Sequence, residues 1–324
     1  MNLDEHMPTR LRDALKLYAI TSAEGAELKV VDCTESTKAA TFYAELFDEQ
    51  LKTERPEEWR RAKEKAGGIG EKKSDERPVD PEWVQIVDFL TGELPEDALV
   101  IELGGGVFQR RCRFMNRHFE NYFPLDISHT SIAGYAKRHD RWGIASDATC
   151  IPLKDASVDC VFSRTFMEHL PEPGQALAEV VRVLKPGGIV LHDDAWFCRW
   201  WSRYGVVGLK KFRNMTFRER LVWLGSRVTE FTPLRLPKVI IPRLFRELLV
   251  SRKSPLQLPF GRLQPNYDLH LGCDEDAAAS IDPLNVIRFY ESQGFELVKP
   301  MSFKQRILLR NTHVILQRKS NGNG

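Results

Sequence analysis

Apolar residues in this chain recur in two alternating rhythms. Short apolar runs at 98–101, 121–125, 142–145, 157–163 and 189–192 read as strands, and the unbroken ones as strands buried on both faces. Between them, 110–119, 130–137 and 173–184 carry apolar residues at helical spacing. The last of these runs into Lys185-Pro186-Gly187-Gly188, a cation followed by residues that do not continue a helix. Strands alternating with helices at this spacing predict βαβ units and a doubly wound, mostly parallel α/β sheet. Near the end, 285–293 reads as a helix, Gly294 as its cap, 295–298 as a strand and 312–317 as the last strand, before a frayed tail at 319–324.

The flanks follow other patterns. Residues 10–20 and 39–51 show helical spacing, 66–81 is a charged, glycine-containing loop or linker, and 81–90 is a helix with Pro at its start. From 196 to 265 the strand–helix rhythm stops. Stretches 216–228 and 242–250 read as helices with apolar and basic faces, among Pro233, Pro237, Pro242, Pro255 and Pro259. The expected organisation is a helical N-terminal extension and linker (1–80), a core (81–195), a basic helical insertion acting as a lid (196–265), and the completion of the core (266–324).

Charge sharpens the view of that insertion. The net charge is only +2, but 197–263 holds fifteen Lys or Arg against three Asp or Glu, so this segment carries +12 and the remainder −10. Trp196, Trp200, Trp201 and Trp223 lie in or beside it. Basic and apolar faces with tryptophan suit a substrate lid, and also weak contact with an anionic membrane surface. Cys33, Cys112, Cys150, Cys160, Cys198 and Cys273 are scattered with no CxxC, which argues against a zinc site or a disulfide framework. No apolar run is long enough to span a bilayer, and the N-terminus lacks a secretion pattern. The expected setting is cytoplasmic, with peripheral membrane association as a second expectation.

Candidate chemistry centres on 98–108, ALVIELGGGVF. A buried strand leads into Gly104, Gly105 and Gly106, and a helix follows. Glycine there permits unusual backbone angles and lets a ligand approach the main chain. The carboxyl end of such a strand is where open α/β sheets bind ligands. A dinucleotide fingerprint needs glycine at its first, third and sixth positions; Gly104 and Gly106 supply two, but Gln109 occupies the sixth.

From about 98 to 194 the chain resembles class I S-adenosylmethionine-dependent methyltransferases of the common small-molecule type. The matching pieces are ELGGG at 102–106, LDIS at 125–128, SDATCIPLKDASVDCVFSRTFMEHL at 146–170 and ALAEVVRVLKPGG at 176–188, with VIRFYESQGFELV at 286–298 matching the closing helix and strand. The family usually has a further glycine where this chain has Phe108. The resemblance implies a seven-stranded Rossmann-like sheet and S-adenosylmethionine as cofactor, with no metal. It implies that Gly104, Gly105 and Gly106 approach the cofactor's amino-acid end and ribose, with Glu102 close by. It places Asp126 on the ribose hydroxyls, Asp147 and Ala148 at the adenine, and Ser163 with Arg164 near the methionine part.

For catalysis, His169 in MEHL and the strand-end pair His192 and Asp193 are the candidate acid–base groups. His270 and the acidic run 274–276 precede the closing helix. The expected reaction is methyl transfer to a small-molecule acceptor: a sugar, a lipid-linked glycan or another metabolite. An RNA-directed methyltransferase and a cofactor-binding module without turnover are the alternatives; nucleic acid is not an expected partner, and the residues set no oligomeric state.

Overall fold

The structure, a computed structural model, describes residues 7–16, 19–23, 26–32, 81–105, 109–194, 196–198, 216–218, 220–221, 224, 239–250, 257–263, 277–309 and 313–320. The chain divides into two compact units. One comprises residues 1–163, 175–191 and 320–324; the other comprises 164–174 and 192–319.

The first unit is built on α1 (Thr9–Ala14), β1 (Ala19–Ala23), β2 (Ala26–Asp32), α2 (Pro81–Glu93), β3 (Leu99–Leu103), α3 (Gln109–His118), β4 (Asn121–Asp126), α4 (His129–His139), β5 (Gly143–Ala145), β6 (Val158–Arg164), α5 (Pro173–Val183) and β7 (Leu184–Asp193). The ends of β6, α5 and β7 run past the boundary. Its strands lie in the order β1-β2-β5-β4-β3-β6-β7. The pairs β2/β5, β5/β4, β4/β3 and β3/β6 are parallel, and the edge pair β1/β2 is antiparallel. From β3 the chain steps outward to β4 and β5, then returns to place β6 on the other side of β3. That reversal is a topological switch point, outside whose strand carboxyl ends open α/β sheets bind their ligands.

Helical spacing explains the packing around this sheet. Trp83, Ile86, Val87 and Leu90 form the buried stripe of α2, with the Trp83 ring 5.5 Å from that of Phe162. In α5, Ala176, Leu177, Val180 and Val183 are all buried. The helix α4 starts where the Ser128 side chain accepts from the Ser131 amide, and ends at Asp140 with φ +51°.

Two sequence expectations change here. The N-terminal extension is not wholly helical, because α1 stops at Ala14 and two strands follow. Leu15 bridges to Leu153, and the Lys16 amide donates to Pro152, so the chain leaves the helix to pair with a distant loop. Val30 and Val31 of β2 are fully buried, and Val30 packs with Ile132, Ala136 and Ala145. At the other change, Lys185 to Gly188 is not a loop between helix and strand: β7 begins at Leu184. Gly187 takes φ +83°, and a Cβ on Gly188 would lie 2.9 Å from the Lys185 carbonyl oxygen, so these glycines bend the start of the strand.

The second unit contains a 3-10 turn at Met167–His169, α6 (Ile241–Leu249), an antiparallel ribbon of β8 (Phe260–Arg262) and β9 (Ala279–Ile281), and α7 (Pro283–Ser292). β10 (Phe295–Leu297) and β11 (Val314–Arg318) form an antiparallel pair, with α8 (Phe303–Leu308) between them in sequence. Every residue of α7 from Pro283 to Tyr290 is buried, and Asp282 caps it by accepting from the Leu284 amide. Gly294 follows with φ +85°, the cap its position suggested. The expected helix at 39–51, the linker 66–80 and most of 196–265 lie outside the described residues. No described helix is long and apolar enough to cross a membrane.

Candidate functional site: strand ends of the parallel sheet

In the first unit the carboxyl ends of β3, β4, β5 and β6 lie side by side, and the sequence candidates cluster there. Leu103 pairs with both Leu125 and Ser163, and Asp126 pairs with Ala145. The turn after β3 is fixed by its main chain: the Gly104 amide donates to the Leu125 carbonyl at 2.8 Å, and the Gly105 amide to the same oxygen at 3.4 Å. Gly104 has φ +70°, which a side chain would strain. A Cβ on Gly105 would sit 2.8 Å from Pro124 Cβ and 2.9 Å from Glu102 Cγ. Close packing on the neighbouring strand therefore requires glycine at 105, a reason distinct from ligand approach. Gly106 and Phe108 lie outside the described residues.

Glu102 departs from its expected role. Its side chain is fully buried, paired with Arg111 and accepting a hydrogen bond from the Tyr122 hydroxyl. The carboxylate thus faces a core network beneath the turn rather than an open site. Cys112 joins it, its Sγ 3.4 Å from Tyr122 Oη and 3.1 Å from the Gly105 carbonyl oxygen. Burial acts to lower the Arg111 pKa, but Glu102, Cys112 and Tyr122 together outweigh it and raise it above its ordinary value. Burial, then the neighbouring Cys112 and Glu102, pushes the Tyr122 phenol well above its usual range. The sequence signal for Arg111 was the helix after the turn: a buried acid requires a cation, and α3 supplies it from its first turn.

The next two strand ends carry carboxylates in matching turns. Asp126 Oδ1 accepts from the Ser128 amide at 2.9 Å, and the Asp126 carbonyl accepts from the Ser146 amide at 2.9 Å. Asp147 Oδ1 accepts from the Thr149 amide at 2.8 Å. Ala148, three residues past β5, is buried, and so is Ser163 near the end of β6, on the far side of β3 from β4. Ionised carboxylates are acceptors only, so this edge suits a ligand that presents donors: a ribose diol opposite Asp126 and an exocyclic amine opposite Asp147. The donor set of a nucleoside-bearing cofactor fits these residues.

Burial, and secondarily the Glu102 carboxylate, raises the Cys112 thiol to about 12; burial also raises Cys160. Thiolate is the reactive form. In the native protein at pH 8, iodoacetamide is therefore expected to label Cys150 and Cys198, which are partly exposed, before Cys112 and Cys160. Peptide mass mapping reads this order, and early labelling of Cys112 would contradict the buried network.

In the second unit all three catalytic candidates have polar neighbours, and they differ in burial. His192 has a fully buried side chain; Nε2 lies 2.8 Å from Tyr290 Oη and Nδ1 3.5 Å from Asp194 Oδ2. Asp194 Oδ1 in turn accepts from the amides of Phe166 and Met167, at 2.9 and 3.3 Å. This is a core assembly that ties the 3-10 turn to the end of β7, so His192 is corrected from a base to a packed residue. Asp193 is corrected likewise: Arg164 Nε donates to Oδ2 at 2.9 Å, and His313 Nδ1 lies 3.0 Å from Oδ1. Arg164 is therefore an ion-pair partner here. His169 is about one-third exposed, with Nε2 3.8 Å from Glu168 Oε1. His270 and 274–276 lie outside the described residues. Among the described residues no cluster of His, Cys, Asp or Glu could hold a metal ion.

The family description "Methyltransferase domain" matches residues 101–192, which include the end of β3, all of β4, β5 and β6, and most of β7. The chain is 36% identical over 80 residues to phthiotriol/phenolphthiotriol dimycocerosates methyltransferase 1 of Mycobacterium ulcerans, covering 24% of this chain and 30% of that protein. It is 30% identical over 115 residues to dimethylglycine N-methyltransferase of Parasynechococcus marenigrum, covering 32% and 40%. It spans less than half the length of these curated relatives. Among solved structures, SAM-bound CalS10, an amino pentose methyltransferase from Micromonospora echinaspora, is 22% identical with a TM-score of 0.33, over 38% of this chain and 53% of that one. Over residues 101–192, then, this chain is similar to the methyltransferase domains of that family.

Proposed function

We propose that this protein is an S-adenosylmethionine-dependent methyltransferase acting on a small-molecule acceptor. The observation that carries the reading is the pair of carboxylates, Asp126 and Asp147, held by matching turns at neighbouring strand ends beside the glycine turn. When bound, S-adenosylmethionine supplies an electrophilic methyl group on a sulfonium. The protein's part is to grip the nucleoside and orient it, and in an in-line transfer such positioning is much of the catalysis. The turn at Gly104 and Gly105 shapes the edge of the cradle, and Asp126 and Asp147 accept from the ribose and the adenine.

Where the acceptor must lose a proton, the role of base falls to His169. Of the three sequence candidates it has the most exposed side chain, about one-third, where His192 is fully buried and Asp193 is about one-fifth exposed. Acceptors named for the relatives differ, from phthiotriol lipids to dimethylglycine. They support the small-molecule class, within which a sugar, a lipid-linked glycan or another metabolite is the acceptor.

Titration calorimetry tests the cofactor directly. The protein is expected to bind S-adenosylmethionine and to give no binding heat with NADH, because Gln109 stands where the dinucleotide fingerprint needs its last glycine. Binding of NADH with no binding of S-adenosylmethionine would overturn the reading.

A further inference from the structure

The helix α6 is amphipathic in an inverted sense. Its polar side faces inward. Arg243 is 1% exposed; its Nη2 and Nε bind the two Asp282 oxygens at 2.8 and 3.0 Å, and its Nη1 donates to the carbonyls of Ile307 and Leu309, both at 2.7 Å. Arg246 donates to Asn285 Oδ1. The Glu247 side chain is fully buried and takes both Nε and Nη2 of Arg306, which also binds Glu291 at 2.8 Å. The basic face read from the sequence is therefore a buried ionic network, and this pins the rotation of the helix.

The apolar side faces outward as a consequence. Ile241, Phe245, Leu248 and Leu249, at the i, i+4, i+7 and i+8 positions, are 58–69% exposed. On α8, which contacts α6, Phe303 and Leu308 are about half exposed, and Lys304 is exposed between them. An open groove beside α8 is lined by Met301, Lys304, Gln305, Leu308 and Leu309. A second stretch of the same basic segment behaves alike: Phe217, Leu221 and Leu224, again at helical spacing, are each about half exposed or more. Large contiguous apolar surface of this kind marks an interaction site.

We propose that the outer face of α6 and α8 is a docking surface for an anionic lipid bilayer, with Ile241, Phe245, Leu248 and Leu249 entering the interface. Charge selects this occupant. The side chain of Glu247, the acidic residue of α6, is fully buried, so the helix presents no carboxylate outward. Lys304 lies on the face itself, Lys238 precedes the helix, and Arg252 and Lys253 follow it directly, within a segment of net charge +12. A helix lying in the membrane plane needs an apolar face to bury and cations beside it to meet lipid headgroups. The inference is independent of methyl transfer, since it rests on a surface rather than on the cofactor cradle.

Co-sedimentation of the full chain with phosphatidylcholine vesicles, with and without phosphatidylglycerol, tests it. The protein is expected to bind the anionic vesicles, to ignore the neutral ones and to be released by added salt, because exposed charges are screened within about 8 Å at physiological ionic strength. Phe245→Ser with Leu248→Ser is expected to cut binding about tenfold or more with melting unchanged. If that protein melts lower, Leu249→Ser alone carries the same expectation, reduced to a few-fold. Arg252→Ala with Lys253→Ala is expected to weaken binding about tenfold. No binding of the parent to anionic vesicles overturns the proposal. So does binding indifferent to the apolar substitutions, or a dimer in size-exclusion chromatography that these substitutions dissolve, which would make a second copy the occupant.

Discussion

Arg111→Ala is expected to lower the unfolding free energy by about 3–5 kcal/mol, the cost of leaving a buried charge without its partner. Arg111 and Tyr122 are the side chains that hold the fully buried Glu102 carboxylate, and the turn that begins the cofactor edge sits directly on this group. The pair need not be a net source of stability, because desolvation opposes its attraction. The informative comparison is therefore the double variant Glu102→Gln with Arg111→Met, which removes both charges and is expected to cost clearly less than Arg111→Ala alone. Tyr122→Phe removes one hydrogen bond to a charged group and is expected to cost about 1.5–3 kcal/mol. Urea unfolding of the four proteins gives the comparison. A cost below about 1 kcal/mol for Arg111→Ala would mean that Glu102 does not depend on Arg111 as its partner.

The same residues show where reading a sequence works and where it stops. The strands β3 to β6 were legible because each is a short apolar run bounded by turn residues, and the carboxylates at their ends followed from the strand boundaries. Asp126 and Asp147 lie at the expected strand ends for that reason. The direction of the Glu102 side chain was not legible. It depends on Arg111 arriving from α3 and Tyr122 from β4, contacts made in three dimensions. His192 and Asp193 failed for a related reason: a polar strand end reads the same whether it faces solvent or meets Tyr290, Arg164 and His313. On α6 the helix was foreseen and its orientation was inverted, because only partners such as Asp282 and Arg306, far along the chain, decide which side is inside. The strands β1 and β2 were hidden by short length and mixed polarity; Val30 and Val31 acquire their burial from α4 and β5.

Asp126 offers the sharpest test of the cofactor edge, because its two functions separate by substitution. Its Oδ1 holds the Ser128 amide and so shapes the turn; its charge is what a ribose diol would feel. Asparagine keeps an acceptor for the amide and loses the charge, while alanine loses both. Asp126→Asn is therefore expected to melt close to the parent protein and to bind S-adenosylmethionine about 10- to 100-fold more weakly, the equivalent of a charge-assisted hydrogen bond worth about 1.5–3 kcal/mol. Asp126→Ala is expected to bind as weakly or more so, and to lose about 1 kcal/mol of stability with the turn. Asp147→Asn provides the internal comparison: one amine donor in place of a diol predicts a smaller loss of affinity. Calorimetry on the three variants, beside their melting curves, decides the matter. Unchanged affinity in Asp126→Asn would remove this carboxylate from the site, whatever its place at the strand end.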